Sequence, residues 1–440
     1  MALAADAPKA SFRLSQLIYD TRYRSYTIQF FALLLVAAFL IWLVNNTMVN
    51  LAAKDKDIDF GFLWSRAGYD IDQQLIPYTN DSTHFRALLI GLLNTLLVAF
   101  FACIFATVLG VIAGVLRLSK NWLVARLMTV YIEVFRNVPL LLWIILTFTI
   151  FSEIPKEPKD FKVTQAMVDT WSGPVESRIY PPSSKILFDT VAVTNRGTNV
   201  PQPLLYRPIG VVTVGGIPIN FSTLAVILVF GGSLWVNARI RRSAKEVQEA
   251  TGVRPPTLWK SLALIILPTA ALLIALGLHF EIPAFPARET GVSKGFNFQG
   301  GINIAHSFTA LLIALTLYSA TYIAEGVRAG ILAISRGQTE AAYALGLRPN
   351  RTMSLIVLPQ ALRVIIPPLI SQYLNITKNT TLGMAISYLD LKGTLGGITL
   401  NQTGRELECM LLMMLIYLCL SLAISSVMNI YNNAMKLKER

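Results

Sequence analysis

A lysine, an asparagine and three threonines stand together at Thr377–Thr381, at the end of a strongly apolar stretch of a 440-residue chain. Lys378 brings positive charge, while Asn379, Thr380 and Thr381 bring both hydrogen-bond donors and acceptors. Such a set suits reversible holding of a small polar solute, and it suits equally the capping of a helix end. Asn94 and Thr95 lie in a second apolar run from which they could face the cluster. Arg363 follows Pro359 by one turn, where it would either face a pathway or satisfy carbonyls that prolines leave free. Glu325 with Arg328, and Glu133 with Arg136, have the i,i+3 spacing of local ion pairs.

Groups for covalent chemistry are missing from the sequence. It contains no G-x-x-x-x-G-K-[ST] phosphate loop, no H-E-x-x-H and no G-x-S-x-G. His84, His279 and His306 are scattered without metal-ligand spacing, so no metal site is expected. Cys103, Cys409 and Cys419 fall in apolar segments and suggest no disulfide framework. No catalytic residue is expected.

Membrane spans must position these groups. The chain is 54% hydrophobic and only 14% charged, and a helical span needs about 20 mainly apolar residues. About eight stretches meet that need, which predicts an all-α membrane protein. They are Ile28–Val44, Ala87–Leu116, Met128–Phe151, Phe221–Asn237, Leu258–Phe280, Phe308–Ile334, Ser354–Ile376 and Leu407–Ile430. The first follows about 27 polar residues and lacks a small-residue cleavage site, so it reads as an anchor.

The net charge of +13 raises the question of nucleic acid, but the distribution of charge answers it. Loops on the side of the termini are short and basic, for example Arg239, Arg241, Arg242 and Lys245, then Arg336, Arg348 and Arg351. Loops of the other set are longer and mix acids with bases, as in "KDKDIDF" at Lys54–Phe60. The basic excess is therefore topogenic and places both termini in the cytoplasm, with no nucleic-acid partner.

Between the third and fourth spans lies a polar insertion, Ser152–Asn220, too long for a simple connection. Its "VVTVGGIPI" places a Gly-Gly pair between two β-rich runs and predicts a hairpin in a small extracytoplasmic β-containing element. The seventh span carries Pro359, Pro367 and Pro368. Breaks in its hydrogen bonding would be tolerated only against protein or a water-filled path.

Before that span comes "TEAAYALGLRPNRTMSLIVLPQ", Thr339–Gln360. The first half favours helix, Gly346 can close it in the left-handed conformation, and Pro349 can open a second helix. The prediction is a helix–turn–helix elbow with Glu340, Arg348 and Arg351 on its polar side. Ala341, Ala342 and Leu345 are expected to be available to a partner's groove.

Glu340-Ala341-Ala342, then Gly346, then Ile356-Val357-Leu358-Pro359 resembles the coupling motif of membrane subunits in ATP-binding-cassette importers. "YIAEGVRAG", "RGQTEAAYALGL", "LPQALRVIIPPLISQYLNITKNTTL", "TLNQTG" and "YIEVFRNVPLLLW" are similar to permeases for polar amino acids, particularly the general L-amino-acid and glutamate/glutamine/aspartate/asparagine branches. The resemblance implies a type I importer permease core of five helices, with added helices and the insertion. It implies a bacterial inner-membrane location and coupling to the ATPase through Glu340, Ala341, Ala342, Gly346 and Arg348. Partners would be separate ABC ATPase subunits that bind ATP and Mg, a related second permease subunit, a periplasmic solute-binding protein, membrane lipid and the amino-acid substrate. An amino acid presents a carboxylate and an ammonium, which makes Asn94, Thr95, Arg363 and Lys378–Thr381 the path candidates.

A near-copy of the elbow, "EATGVRPPTLWKSLALIILP" from Glu249 to Pro268, has Pro255 where the motif wants glycine, and reads as an ordinary loop. The expected division is then 1–27 (cytoplasmic), 28–86 (first span and loop), 87–151 (core), 152–220 (insertion), 221–280 (added pair), 281–306 (loop) and 307–440 (core), with the coupling helix at 338–350. The rival reading is an ion-coupled secondary carrier, which expects a relay of buried carboxylates. Glu133 and Glu325 in the spans each have an arginine three residues on, which speaks against such a relay.

Overall fold

A computed structural model describes residues 21–53, 58–170, 190–214, 217–252, 255–285 and 293–435. The chain forms two units, 1–60 and 61–440. Among the described residues of the first is one helix, α1 (Thr21–Ala52), long and apolar enough to cross a membrane. The "KDKDIDF" acids at 55 and 57, the N-terminal basic residues up to 20 and the C-terminal ones after 435 lie outside the described residues.

The second unit is built on α2 (His84–Arg117) and α7 (His306–Leu332), with the other elements arranged around them. Thr83 starts α2 by accepting a hydrogen bond from the backbone N–H of Arg86 (3.3 Å). Small residues let the two helices approach closely: a Cβ on Gly110 would stand 2.7 Å from Cβ of Ile323, and one on Gly114 2.6 Å from the carbonyl oxygen of Ala324. Val98, Ala102 and Ala106 meet Ala310, Leu311, Ala314 and Leu315 in the main apolar core.

The expected third span is two helices, α3 (Trp122–Asn137) and α4 (Leu140–Glu153), which meet at 103°. The reason is local. Pro139 pushes Val138 into extended backbone (φ −99°, ψ 132°), so the helix ends and restarts. Among the described residues seven helices are long and apolar enough to span, or eight if this bent pair counts as one.

The added pair is α5 (Phe221–Thr251) and α6 (Leu258–Ala275), which pack chiefly on each other. α5 extends well past the expected Asn237 and is closed by Gly252 in the left-handed region (φ +73°), so the near-copy loop does have a glycine cap, upstream of Pro255. α6 ends before the expected Phe280 because Gly277 (φ +71°) turns the chain into a strand.

Among the described residues seven short strands follow one another as β1 (Ala192–Thr194), β2 (Gly197–Val200), β3 (Gln202–Leu205), β4 (Val211–Val214), β5 (Ile217–Asn220), β6 (Leu278–Glu281) and β7 (Ile302–Ile304). The expected hairpin is β4–β5, antiparallel with Val214 opposite Ile217; its Gly-Gly turn lies outside the described residues. The larger finding is that two of the insertion's strands are paired from outside it. β2 pairs with β7, and β3 with β6, both supplied by the connection after α6. Since the paired loops share one side, α5 and α6 leave that side and return to it.

After α7 come the short helix α8 (Arg336–Ala344), a turn, residues Pro349–Thr352, a π-turn at Met353–Val357 and α9 (Leu358–Asn379). The three prolines do not break α9. At the π-turn, Leu358 N–H donates to the Met353 carbonyl, one residue further back than in an α-helix, just before Pro359. The helix then runs on through Pro367 and Pro368. A 3-10 turn (Thr380–Ile386), a π-helical segment (Lys392–Thr399) and α10 (Glu406–Met435) complete the unit.

Candidate functional site: a coupling elbow and a polar knot

At the α8 end, Gly346 (φ +76°) closes the helix. Its N–H donates to the Tyr343 carbonyl (2.9 Å) and Leu347 N–H to that of Ala342 (3.1 Å), the two bonds of a Schellman turn. Pro349 occupies the first position of the next helical turn, with Arg348 as N-cap. The predicted helix–turn–helix is therefore formed. Glu340, Ala341, Arg348 and Leu345 are exposed, Leu345 at 82%. Ala342 is not available to a partner: it is buried at 1%, facing its own chain, and anchors the elbow.

On the same end of the bundle is an ionic cluster. Glu325 accepts from Arg328 (2.7 Å), as expected, and also from Arg117 at the end of α2. Glu133 does not pair with Arg136. It lies 3.9 Å from Arg117 instead, and the Arg136 guanidinium stands 5.2 Å from the centre of the Tyr322 ring. The charges thus tie α2, α3 and α7 together across helices, where i,i+3 spacing had suggested links within one helix.

At the other end, Asn94 and Thr95 are fully buried and engaged by backbone. Asn94 Nδ2 donates to the carbonyls of Gln73 (2.9 Å) and Leu389 (3.0 Å), Tyr388 Oη donates to the Asn94 carbonyl (3.0 Å), and Leu391 N–H donates to Thr95 Oγ1 (3.0 Å). Thr380 is buried too, and its hydroxyl lies 3.0 Å from the Thr377 carbonyl and 3.1 Å from Asp390 Oδ2. Thr381 donates to the Lys378 carbonyl (2.8 Å). The threonines therefore cap the end of α9, Asn379 is half-buried, and Lys378 is the exposed member of the cluster. Asn94, Thr95 and Thr380 do converge, around residues 388–391. Arg363 is half-buried, and its Nε has no hydrogen-bond partner among the described residues.

Asp390, at the centre of this knot, escaped the sequence reading, as did Glu408, which pairs with Arg405 (3.2 Å). Asp390 is fully buried between two spans. It accepts from Gly393 N–H (2.9 Å), Thr380 and Tyr417 Oη (3.4 Å), and burial raises its carboxyl to about 6. The signal was an acid set between two leucines in "SYLDLKG". Among the described residues no group of three or more His, Cys, Asp or Glu could hold a metal.

The closely packed α2/α7 pair and the capped elbow are the geometry of a membrane transport component. The family model for binding-protein-dependent transport system inner membrane components matches residues 106–293 and 254–437, and the chain belongs to that family. It is 62% identical over 441 residues, covering 100% of both chains, to the glutamate/glutamine/aspartate/asparagine transport system permease protein BztB of Rhodobacter capsulatus. Identity to the general L-amino acid transport system permease protein AapQ of Rhizobium johnstonii is 40% over 433 residues, 98% of this chain and 96% of that one. A shorter match, 45% over 84 residues and 19% of each chain, is to the permease protein BztC of the same R. capsulatus strain. The resemblance read from the elbow and its flanking segments is borne out. Family membership favours the importer reading over the ion-coupled carrier.

Proposed function

We propose that this multi-pass membrane protein is the permease subunit of an ATP-driven importer of polar L-amino acids in a bacterial inner membrane, with both termini cytoplasmic. The exposed elbow carries the reading. A helix capped at both its turn and its successor, with Glu340 and Leu345 outward and Ala342 inward, is a stiff knob suited to a groove on an ATPase. The chain has no phosphate loop, so ATP and Mg belong to that separate subunit, and this chain is no enzyme. Substrate arrives from a solute-binding protein. The printed names BztB and BztC, two permease proteins of one transport system, support a related second subunit as pore partner.

Closure of the ATPases would push the elbow through Ala342 into the π-turn and α9. From there the load passes to α7 and α2, which the close glycine contacts make a rigid pair. Glu340→Lys should leave membrane insertion intact, abolish co-purification with the ATPase, and lower ATP-driven uptake in proteoliposomes at least about tenfold, the equivalent of about 1.4 kcal/mol. Uptake that is unchanged in this variant, or driven in the chain alone by an ion gradient, would overturn the proposal.

A further inference from the structure

We infer that a polar cavity where the β layer meets the ends of α4 and α7 binds the free zwitterionic amino acid, as a staging site distinct from the membrane path. The inference rests on the transport reading and adds a ligand site to it. The cavity has a volume of about 420 Å³, within the ~300–1,000 Å³ usual for small-molecule sites.

Its two charges have opposite signs. Asp72 comes from the loop before α2, Arg196 from the tight turn between β1 and β2. Neither forms an ion pair within 4 Å among the described residues. A carboxylate would find Arg196 and an ammonium Asp72, each through a charge-assisted bond. Asn195 and His306 also line it, and Asn195 Oδ1 and His306 Nδ1 are buried with no hydrogen-bond partner among the described residues. Buried polar atoms ordinarily have one, and a ligand's ammonium or side-chain amide would supply it.

Both charged residues are held on rigid supports. Thr194, fully buried, donates to the Gly197 carbonyl (2.9 Å) and accepts from Arg196 N–H (3.2 Å), while its own carbonyl accepts from His306 Nε2 (2.6 Å). On either side of Asp72, Ile71 is 1% exposed and the Gln73 carbonyl is held by Asn94. Asn94, expected in the substrate path, thus positions the loop that bears Asp72. Ser387 also lines the cavity and is the non-glycine residue with positive φ (61°) among those described, a strained conformation of the kind found at binding sites.

The test uses the full chain assembled with its ATPase and second permease, in nanodiscs of phosphatidylcholine and phosphatidylglycerol, without binding protein. Equilibrium dialysis with radiolabelled glutamine should show saturable binding. Arg196→Gln and Asp72→Asn should each raise Kd at least about tenfold, and Arg196→Lys should restore part of the loss. N-acetylglutamine and 4-aminobutanamide, which lack the ammonium and the carboxylate respectively, should fail to compete. Both variants alter exposed side chains, and thermal unfolding checks that they fold. Binding that is absent, unaffected by both variants, or displaced when phosphatidylethanolamine is included overturns the site. So does a weaker grip on the binding protein with no amino-acid binding, which would make the cavity a docking socket. Uptake by the wild-type assembly with binding protein added is measured alongside: uptake without dialysis binding rejects the staging site alone, and binding without uptake rejects the transport reading alone.

Discussion

The pair α2/α7 and the pair α5/α6 are both made of long apolar helices with glycines, yet they are built on different principles. In the first, Gly110 and Gly114 are places where two backbones touch, and half of the apolar window of α7 is buried. In the second, Gly231 and Gly232 have nothing within 4 Å of an added Cβ, and the helices are mostly exposed. With no hydrophobic drive between helices in lipid, close packing decides association. The comparison separates a closely packed pair from a hairpin tethered through strands.

Substitution at those glycines breaks or sharpens the contrast, and the largest effect is expected in the first pair. Gly114→Leu must displace the Ala324 carbonyl and the Val327 side chain, so it should cost about 3 kcal/mol or more, read as loss of a monodisperse peak in detergent and a collapsed Tm. Next comes the knot that α2 shares with α9 and α10. Since burial raises the folded-state carboxyl of Asp390 from 3.8 to about 6, the stability this group contributes should be fullest below pH 4 and be lost as pH rises toward 6. The loss should be on the order of 2–3 kcal/mol at about 1.4 kcal/mol per unit, and Asp390→Asn should flatten that part of the Tm–pH curve. Gly346→Ala, which forces a Cβ into φ +76°, should cost roughly 1 kcal/mol locally and weaken ATPase coupling more than it lowers Tm. The smallest effect belongs to the second pair: Gly231→Leu should change stability by less than about 0.5 kcal/mol. A larger loss there would mean that the hairpin packs as tightly as the core.

The elbow was legible because its chemistry is local: alanines favour helix, Gly346 closes it and Pro349 opens the next turn. Span positions were legible for the same reason, since an apolar run carries its own length. The break at Val138–Pro139 was readable in principle, for the rule about residues preceding proline needs only the dipeptide. What the sequence concealed was long-range pairing. Arg117 takes Glu133 from Arg136, β6 and β7 complete an insertion that ends decades of residues earlier, and Asp390 finds Thr380 and Tyr417 from separate elements. The path candidates divided along the same line. Thr95 and Thr380 are engaged within the protein and Asn94 through its Nδ2, which residue type alone could not reveal, while Lys378 keeps an exposed head.

The pairing of β2 with β7 also sets a timetable for biogenesis. Val200 must wait for Ile302, roughly 100 residues later, which at ribosomal speeds of about 5–20 residues per second is some 5–20 s. During that interval β2 has no β7, and the membrane insertion machinery must pass α5 and α6 before the second loop reaches the same compartment. The return crossing of the hairpin thus delivers the strands that finish the layer.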